Sequence, residues 1–476
     1  MIKDDERIAF LPDLLYTGGR FERGLALVCD QGGRITRLAR ETETAGCRVV
    51  HLKGRALLPG LVNAHSHAFQ RVIRGRTEYR TGHGSDTFWT WREMMYSAAT
   101  RLTPDDIYDA SRMAFLEMAL GGITAVGEFH YIHRTPEGAV YDDPNVMAKE
   151  VVRAARDVGL RIALLRVAYA RSGYRTEPNP RQVRFIEAEP ETYLRNVEGL
   201  ESELARTEDA QKAAWVGLAP HSVRAVPLGY LREVIRFGAD RQMPIHMHIA
   251  EQPAEIAACI EEHHCSPVML LTNEGLLSQR FTGVHAVHVT PEEISLLARA
   301  RATVCACPTT ERNLGDGIVP ADALIEAGVR LALGTDSHTQ IDLLEDAREL
   351  EYHMRLQRLE RNVLAPEAPA SSETNLSALA ARLFNCATSV GAQSIHAPNG
   401  ELEPGRPADF FTVDLDDASI AGASSDDLLA CIVFSLARTA LREVFVGGRA
   451  VVEEGRHRAQ VEIVENFAAL QLKLWG

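Results

Sequence analysis

Two histidines one residue apart, His65 and His67, stand in the stretch PGLVNAHSHAFQR at 59–71, directly behind the apolar pair Leu61-Val62. On a β-strand, residues i and i+2 project from the same face, so both imidazoles would point together. Imidazoles that converge in this way suit a metal ion. The pair alone is a short motif that exposed strands also carry for no catalytic reason. Further ligands must come from the rest of the chain, and three stretches offer them: PIHMHIAE (244–251), GVHAVHV (283–289) and VRLALGTDSH (329–338).

A recurring framework must position these residues. Short runs rich in apolar and β-branched residues are ALLPGLVNAH (56–65), GITAVGEFHY (122–131), RIALLRVAYA (161–170), WVGLAPHSV (215–223), the three stretches above and ATVCACP (302–308). Helix-like segments separate them, such as TPDDIYDASRMAFLEMALGG (103–122), where Thr103 suits an N-cap and Pro104 the first helical position. Eight strands alternating with helices predict an α/β fold, a (β/α)8 barrel of the TIM type. An open doubly wound sheet would show a Gly-rich phosphate turn after its first strand. Here histidines occupy that place. The ends differ: RITRLA, DFFTVDL and EVFVGGRAVVEEGRH are short Gly-punctuated strands, too few at either end for a core. Residues 1–57 and 400–476 are therefore expected to build one small β-sandwich beside a barrel of residues 58–399. The Pro-, Ala- and Ser-containing region 360–376 reads as a surface loop.

The 476 residues are 46% hydrophobic and 24% charged, the balance of an ordinary globular protein. A net charge of −14 argues against nucleic-acid or anionic-membrane partners, so any anionic substrate must be met by cations gathered locally. The opening MIKDDERIAF lacks the apolar stretch of a secretory signal, and no segment has the length of a membrane span. Eight scattered cysteines fit a reduced cytoplasm, with Cys305 and Cys307 as small fillers of a buried strand.

Barrel enzymes carry their chemistry at the C-terminal ends of the strands. Those ends hold His65 and His67; Glu128, His130 and Tyr131; His221 and Arg224; His246, His248 and Glu251; His285 and His288; and Asp336 and His338. So many of 17 histidines at these positions point to a metal site.

The set HSH (65–67), HMHIAEQ (246–252), HAVH (285–288) and GTDSH (334–338), with LEPGRPADFFTVD (402–414), resembles the amidohydrolase superfamily over nearly the whole chain. Members with two metals carry a bridging lysine on strand four. Residues 215–226 contain none, so the resemblance is to the mononuclear branch, where deaminases lie. It implies His65, His67, His248 and Asp336 as ligands of one divalent metal, Zn²⁺ by preference, with Fe²⁺ acceptable to the same donors. It further implies His285 as base and electrostatic support, Glu251 as proton carrier to the leaving nitrogen, and an acid–base role for Asp336 beside its ligand role. A homodimer is also implied. His246 has the parity of a ligand, but the HxxE spacing favours His248; His246 and His288 read as supporting or packing residues, and His338 has no assigned role.

GEFHYIH (127–133), PHSVRAV (220–226) and HAFQR (67–71) resemble the formimidoylglutamate deiminase family, whose substrate is a small acyclic diacid. Such a substrate needs fixed cations and donors. Arg224 can grip a carboxylate through two parallel N–H bonds. His221 and Tyr131 can add donors, and Gln70 and Arg92 are candidates for the second carboxylate. Each has a plainer reading: a structural salt bridge for Arg224, a solvated helical side chain for Arg92, a cap on apolar packing for Tyr131, a loop hydrogen bond for Gln70. The alternative activity is a nucleobase-type or triazine deaminase, which would favour aromatic stacking over an Arg/His/Tyr cluster. A non-catalytic scaffold barrel would have lost ligands, and every ligand is present.

Overall fold

The computed structural model describes residues 7–80, 82, 85–206, 213–367 and 376–476; residues 1–6 of the opening segment and 368–375 of the expected loop lie outside the described residues. Eight parallel strands form the barrel in sequence order: Leu61–Ser66, Ile123–His130, Arg161–Ala168, Ala214–Pro220, Ile245–Ile249, Phe281–His285, Thr303–Ala306 and Arg330–Leu333. Most of their residues are buried, as strands covered by helices on one side and filled by side chains on the other must be. The chain is a (β/α)8 barrel with a small β-sandwich built from both termini.

Local signals account for the helices between. Thr103 caps the helix Pro104–Leu120, its hydroxyl accepting from the Asp106 backbone N–H while the Asp106 carboxylate accepts from the Thr103 N–H. Proline opens the helices Pro190–Ala205, Pro253–His263, Pro267–Asn273, Pro291–Arg299 and Pro308–Leu314, where its missing N–H costs nothing.

The barrel closes between its first and last strands. The Asp336 N–H donates to the His65 carbonyl and the His67 N–H donates to the Asp336 carbonyl, both at 3.1 Å. The Asn63 side chain bridges the same seam, donating to Thr335 Oγ1 at 2.7 Å and accepting from the Thr335 N–H at 3.0 Å. Gly334 permits this approach. A Cβ there would stand 2.7 Å from His65 Cβ and 2.9 Å from its carbonyl oxygen.

The second sheet mixes both ends of the chain. Strand Arg48–Pro59 pairs in parallel with Ile8–Thr17 and antiparallel with Phe410–Asp414, so the N-terminal and C-terminal strands interlock. Phe10, Phe410 and Phe445 pack together on one face, and Ala9, Leu11, Ala26 and Val28 cover the other. The last element is a helix, Gln460–Trp475, lying against Pro104–Leu120 of the barrel and tied to it by Lys473–Asp106 and Arg112–Glu462 ion pairs, each 2.7 Å. Among the described residues no helix is long and apolar enough to cross a membrane. Cys305 and Cys307 are fully buried.

A buried ion pair joins the two layers. Arg161, at the start of the third barrel strand, donates to both oxygens of Asp409, at 2.6 and 3.0 Å, and Asp409 also accepts from the Gly447 N–H at 2.7 Å. Removing one partner of such a pair leaves an uncompensated charge, at about 3–5 kcal/mol. Asp409→Asn is therefore expected to lower unfolding stability by about 3 kcal/mol, read as a shift in the urea midpoint. A variant that unfolds with the parent would show the pair to be dispensable.

Candidate metal centre and active site

The seam residues are also the ligand candidates. His65 and His67 bring their Nε2 atoms to 3.2 Å from each other and each to 3.2 Å from Asp336 Oδ1. His248 completes a buried set whose four ligand atoms all lie within 4.8 Å of one another. The hydrogen bonds behind these rings decide which nitrogen faces inward. His67 Nδ1 lies 2.8 Å from the Phe129 carbonyl and His248 Nδ1 3.1 Å from the His221 carbonyl. A carbonyl only accepts, so Nδ1 carries the proton and Nε2 turns a lone pair inward. Burial drives the His65 imidazole down to about 3 and His248 well below its ordinary value, so both are neutral. With lone pairs of His67 and His248 turned inward and His65 Nε2 and a carboxylate oxygen converging on the same point, the set fits a divalent cation, and three imidazoles with one carboxylate leave coordination open for water. Phe129 packs edge-on to His65, His67 and His248, with centroids 5.1, 5.3 and 4.5 Å away, and fixes their rotamers.

His285 stands beside the cluster. Its Nδ1 donates to Glu311 Oε1 at 3.2 Å, leaving Nε2 3.6 Å from Glu251 Oε1 and 3.9 Å from Asp336 Oδ2. Burial opposes a charged ring, but Glu251, the Glu311 hydrogen bond and Asp336 outweigh it and raise the imidazole well above its ordinary pKa. Burial also raises the Glu251 carboxyl. His285 and Glu251, side by side next to Asp336, are placed to exchange protons with a bound molecule.

The strand ends carry strain. Ala250, His285, Ala286, Asp336 and His338 all have positive φ, from 42° to 73°, in the region that non-glycine residues avoid. Such residues cluster at functional sites when their surroundings over-determine them.

One pocket opens onto the cluster and collects the other candidates. Gln70 comes from the 3₁₀ turn Ala68–Ile73, Arg92 from the helix Phe88–Ala99, Tyr131 from the residue after the second strand, and His221 and Arg224 from the loop after the fourth. His67, His248, Glu251, His285 and Asp336 form its floor, with His65 beneath. Gln70 Nε2 donates to Tyr131 Oη at 2.9 Å while its Oε1 is buried without a partner. Arg92 stacks over Trp89 at 4.3 Å, and its Nε and Nη1 are buried without partners. Arg224 Nη1 donates to the Ser172 carbonyl at 2.9 Å and reaches Tyr169 Oη at 3.5 Å. Among the described residues neither arginine forms a direct ion pair, although Glu251 and Glu255 of the same pocket interact electrostatically with Arg224.

The remaining strand-end residues support. Ser66 Oγ, 3.0 Å from His338 Nε2, donates to Glu128 at 2.5 Å; Glu128 also accepts from the Ala68 N–H at 2.7 Å, and burial raises it to about 7. His246 is spent on the Ser394 carbonyl, His288 on the Asp316 carbonyl, and His130 on the Ile132 carbonyl. Sequence reasoning passed over Glu311, Tyr96, Tyr169, Gln182, Glu255 and Asp316. Tyr169 directly follows the third strand and Glu311 sits just beyond the seventh, so the strand-end rule applied to every strand would have flagged both.

A model of the amidohydrolase family matches residues 56–451. The chain belongs to the amidohydrolase family. It is 38% identical over 416 residues to a formimidoylglutamate deiminase from Pseudomonas aeruginosa, covering 87% of this chain and 88% of that protein. It is 27% identical over 423 residues to a 5-methylthioadenosine/S-adenosylhomocysteine deaminase from Natronomonas pharaonis, covering 88% and 86%. A solved amidohydrolase from Brucella melitensis superposes with a TM-score of 0.88 at 32% identity, covering 98% of this chain and 100% of that one. An adenosine deaminase from Xanthomonas campestris with bound zinc shares the fold, with a TM-score of 0.80 at 20% identity and 98% of each chain covered. This amidohydrolase is an enzyme that hydrolyses carbon–nitrogen bonds.

Four convergent ligands predict one tightly held divalent ion per chain. Elemental analysis of protein purified without added metal is expected to find one equivalent, and His248→Ala to lose most of it with circular dichroism unchanged. Full metal content in that variant would remove His248 from the ligand set.

Proposed function

We propose that this amidohydrolase is a formimidoylglutamate deiminase of histidine degradation, hydrolysing N-formimino-L-glutamate to N-formyl-L-glutamate and ammonia. The observation that carries the reading is the pair Arg92 and Arg224, two partly desolvated guanidinium groups that line the pocket with no direct ion pair among the described residues, Arg92 with its buried Nε and Nη1 left without partners. Cations left buried and unpaired are costly unless a ligand completes them. An acyclic substrate with two carboxylates does so, and a neutral heterocycle does not. The relative from Pseudomonas aeruginosa supports the same activity over most of both chains.

A divalent cation on His65, His67, His248 and Asp336, Zn²⁺ by preference or Fe²⁺, would supply the Lewis acidity that activates water near neutral pH. The side chains do the rest. Arg92 and Arg224 anchor the carboxylates, and Gln70, Tyr131 and His221 offer polar groups along the wall, which together hold the amidine carbon over the ligand cluster. Asp336 keeps Oδ1 toward the ligand histidines and Oδ2 toward His285, so it can accept a proton from the attacking water while serving as ligand. His285, oriented by Glu311, presents Nε2 to the same space and stabilises negative charge there. Glu251, raised by burial, carries the proton to the leaving nitrogen. The water oxygen becomes the formyl oxygen. Both its protons end on nitrogen, which leaves as ammonia.

Ammonia release assayed in parallel on N-formimino-L-glutamate, guanine and S-adenosylhomocysteine is expected to favour the first; preference for either heterocycle would replace this reading with a nucleobase-type deaminase. Arg224→Met should cost about 2–5 kcal/mol of transition-state binding, a fall in kcat/KM of roughly 30- to 4,000-fold, with bound metal unchanged and only partial rescue by Arg224→Lys. His285→Asn and Glu251→Gln should each cut kcat by on the order of 10²-fold while sparing metal content. Near-normal turnover in either would remove that residue from the mechanism.

A further inference from the structure

Behind the two arginines lies a hydrogen-bonded triad that the mechanism has not used. Tyr96 comes from the helix Phe88–Ala99, Tyr169 follows the third barrel strand, and Gln182 ends the short turn Pro180–Gln182. Gln182 Nε2 stands 2.7 Å from Tyr96 Oη and 2.6 Å from Tyr169 Oη. All three side chains are about 2% exposed, and both tyrosine rings line the pocket. Phe185 packs against Tyr96 and Tyr169 at 5.9 and 5.8 Å, so their hydroxyls are held in place from behind.

The direction of these bonds matters. An amide nitrogen has two hydrogens and no acceptor, so one Gln182 side chain donates to both hydroxyl oxygens. Tyr169 Oη also lies 3.5 Å from the Arg224 Nη1 donor. An oxygen flanked by donors must send its own O–H elsewhere. Burial, together with a hydrogen bond to Tyr169, holds Tyr96 above its ordinary pKa, so Tyr96 keeps its proton and gives it to the Tyr169 oxygen. Tyr169 is then left with the one phenolic O–H that has no acceptor among the described residues, beside the Arg224 guanidinium.

We propose that Tyr169 is a specificity-determining donor for a substrate carboxylate, held toward it by Tyr96 and Gln182 as positioning residues. The inference rests on the diacid reading above and adds the groups that would distinguish a carboxylate from an uncharged side-chain end. The Tyr169 O–H beside the Arg224 guanidinium can meet the lone pairs of one carboxylate, whereas an amide would bring N–H groups against the same donors and leave them unsatisfied.

The test separates binding from turnover by using glutarate, a plain dicarboxylate, as the probe in calorimetric titration beside steady-state kinetics on N-formimino-L-glutamate. Tyr96→Phe and Tyr169→Phe keep the rings and remove only the donors. Tyr169→Phe is expected to raise the glutarate Kd and the substrate KM about 10- to 100-fold, the loss of one hydrogen bond to a charged group, with kcat nearly unchanged, and Tyr96→Phe, which removes only the bond that orients Tyr169, to raise them less. Gln182→Glu should weaken glutarate binding more than either, because a carboxylate there takes both phenolic protons and adds like charge. A merely structural Gln182 would show no such excess over a Gln182→Leu control. A Tyr169→Phe variant that binds glutarate as the parent does, while the parent turns over N-formimino-L-glutamate, overturns the tyrosine assignment and leaves the diacid reading standing. A parent that neither binds glutarate nor turns over the diacid overturns both.

Discussion

Closure of the barrel depends on two backbone hydrogen bonds between the first and last strands, and those bonds run through the residues that meet at the metal centre. Asp336 donates to the His65 carbonyl and accepts from the His67 N–H, so the seam and the ligand set are one object. If the eighth strand shifted by a residue, its side chains would change faces and Asp336 would leave the cluster. Asn63 and Thr335 lock that register with a reciprocal pair of bonds, and Gly334 removes the one atom that would hold the strands apart. A cation bound at the seam would in turn hold the barrel shut, which couples metal binding to folding.

Geometry of this kind carries a cost in the backbone. Five residues around the site hold positive φ, and positions of that sort cost of order 1–3 kcal/mol each. Buried hydrogen bonds offset part of it: Ser66 and Ala68 both donate to Glu128, His338 is held between Ser66 and Thr335, and the His338 carbonyl accepts from Arg74 at 2.5 Å. These contacts touch no substrate. They fix the strand ends so that His65, His67 and Asp336 meet without further rearrangement.

The sequence made the barrel and the convergence of the candidate ligands legible because both leave period-specific traces. Parallel strands read as apolar runs, and a metal site needs particular residue types at the ends of those runs, as in HSH, HMHIAEQ and GTDSH. The pocket wall was harder. Tyr96 sits in an ordinary amphipathic helix, and Gln182 lies in the irregular connection after the third strand, where no spacing rule says which side chain turns inward. The C-terminal helix was hidden for another reason. Ile463, Phe467, Leu470 and Leu474 show helical spacing, but the helix packs on the barrel while the strands just before it belong to the other sheet. Only tertiary structure separates them.

The charge of the chain as a whole gives little guide to the pocket. At −14 the protein should repel an anion, and Glu251, Glu255 and Asp316 all lie near the site. Burial reverses the expectation. It raises Glu251; it lifts Glu255 to about 7, with Glu251 adding to the effect; and it lifts Asp316 to about 9, again with help from Glu251. Crowded buried carboxyls cannot all ionise, so at neutral pH this wall carries less negative charge than its composition suggests. Arginine has no such escape, because its pKa lies too high for burial to discharge it. Arg92 and Arg224 therefore set the sign of the potential that a ligand meets inside, while the exposed acids that make up the −14 are screened by salt beyond a Debye length of about 8–10 Å.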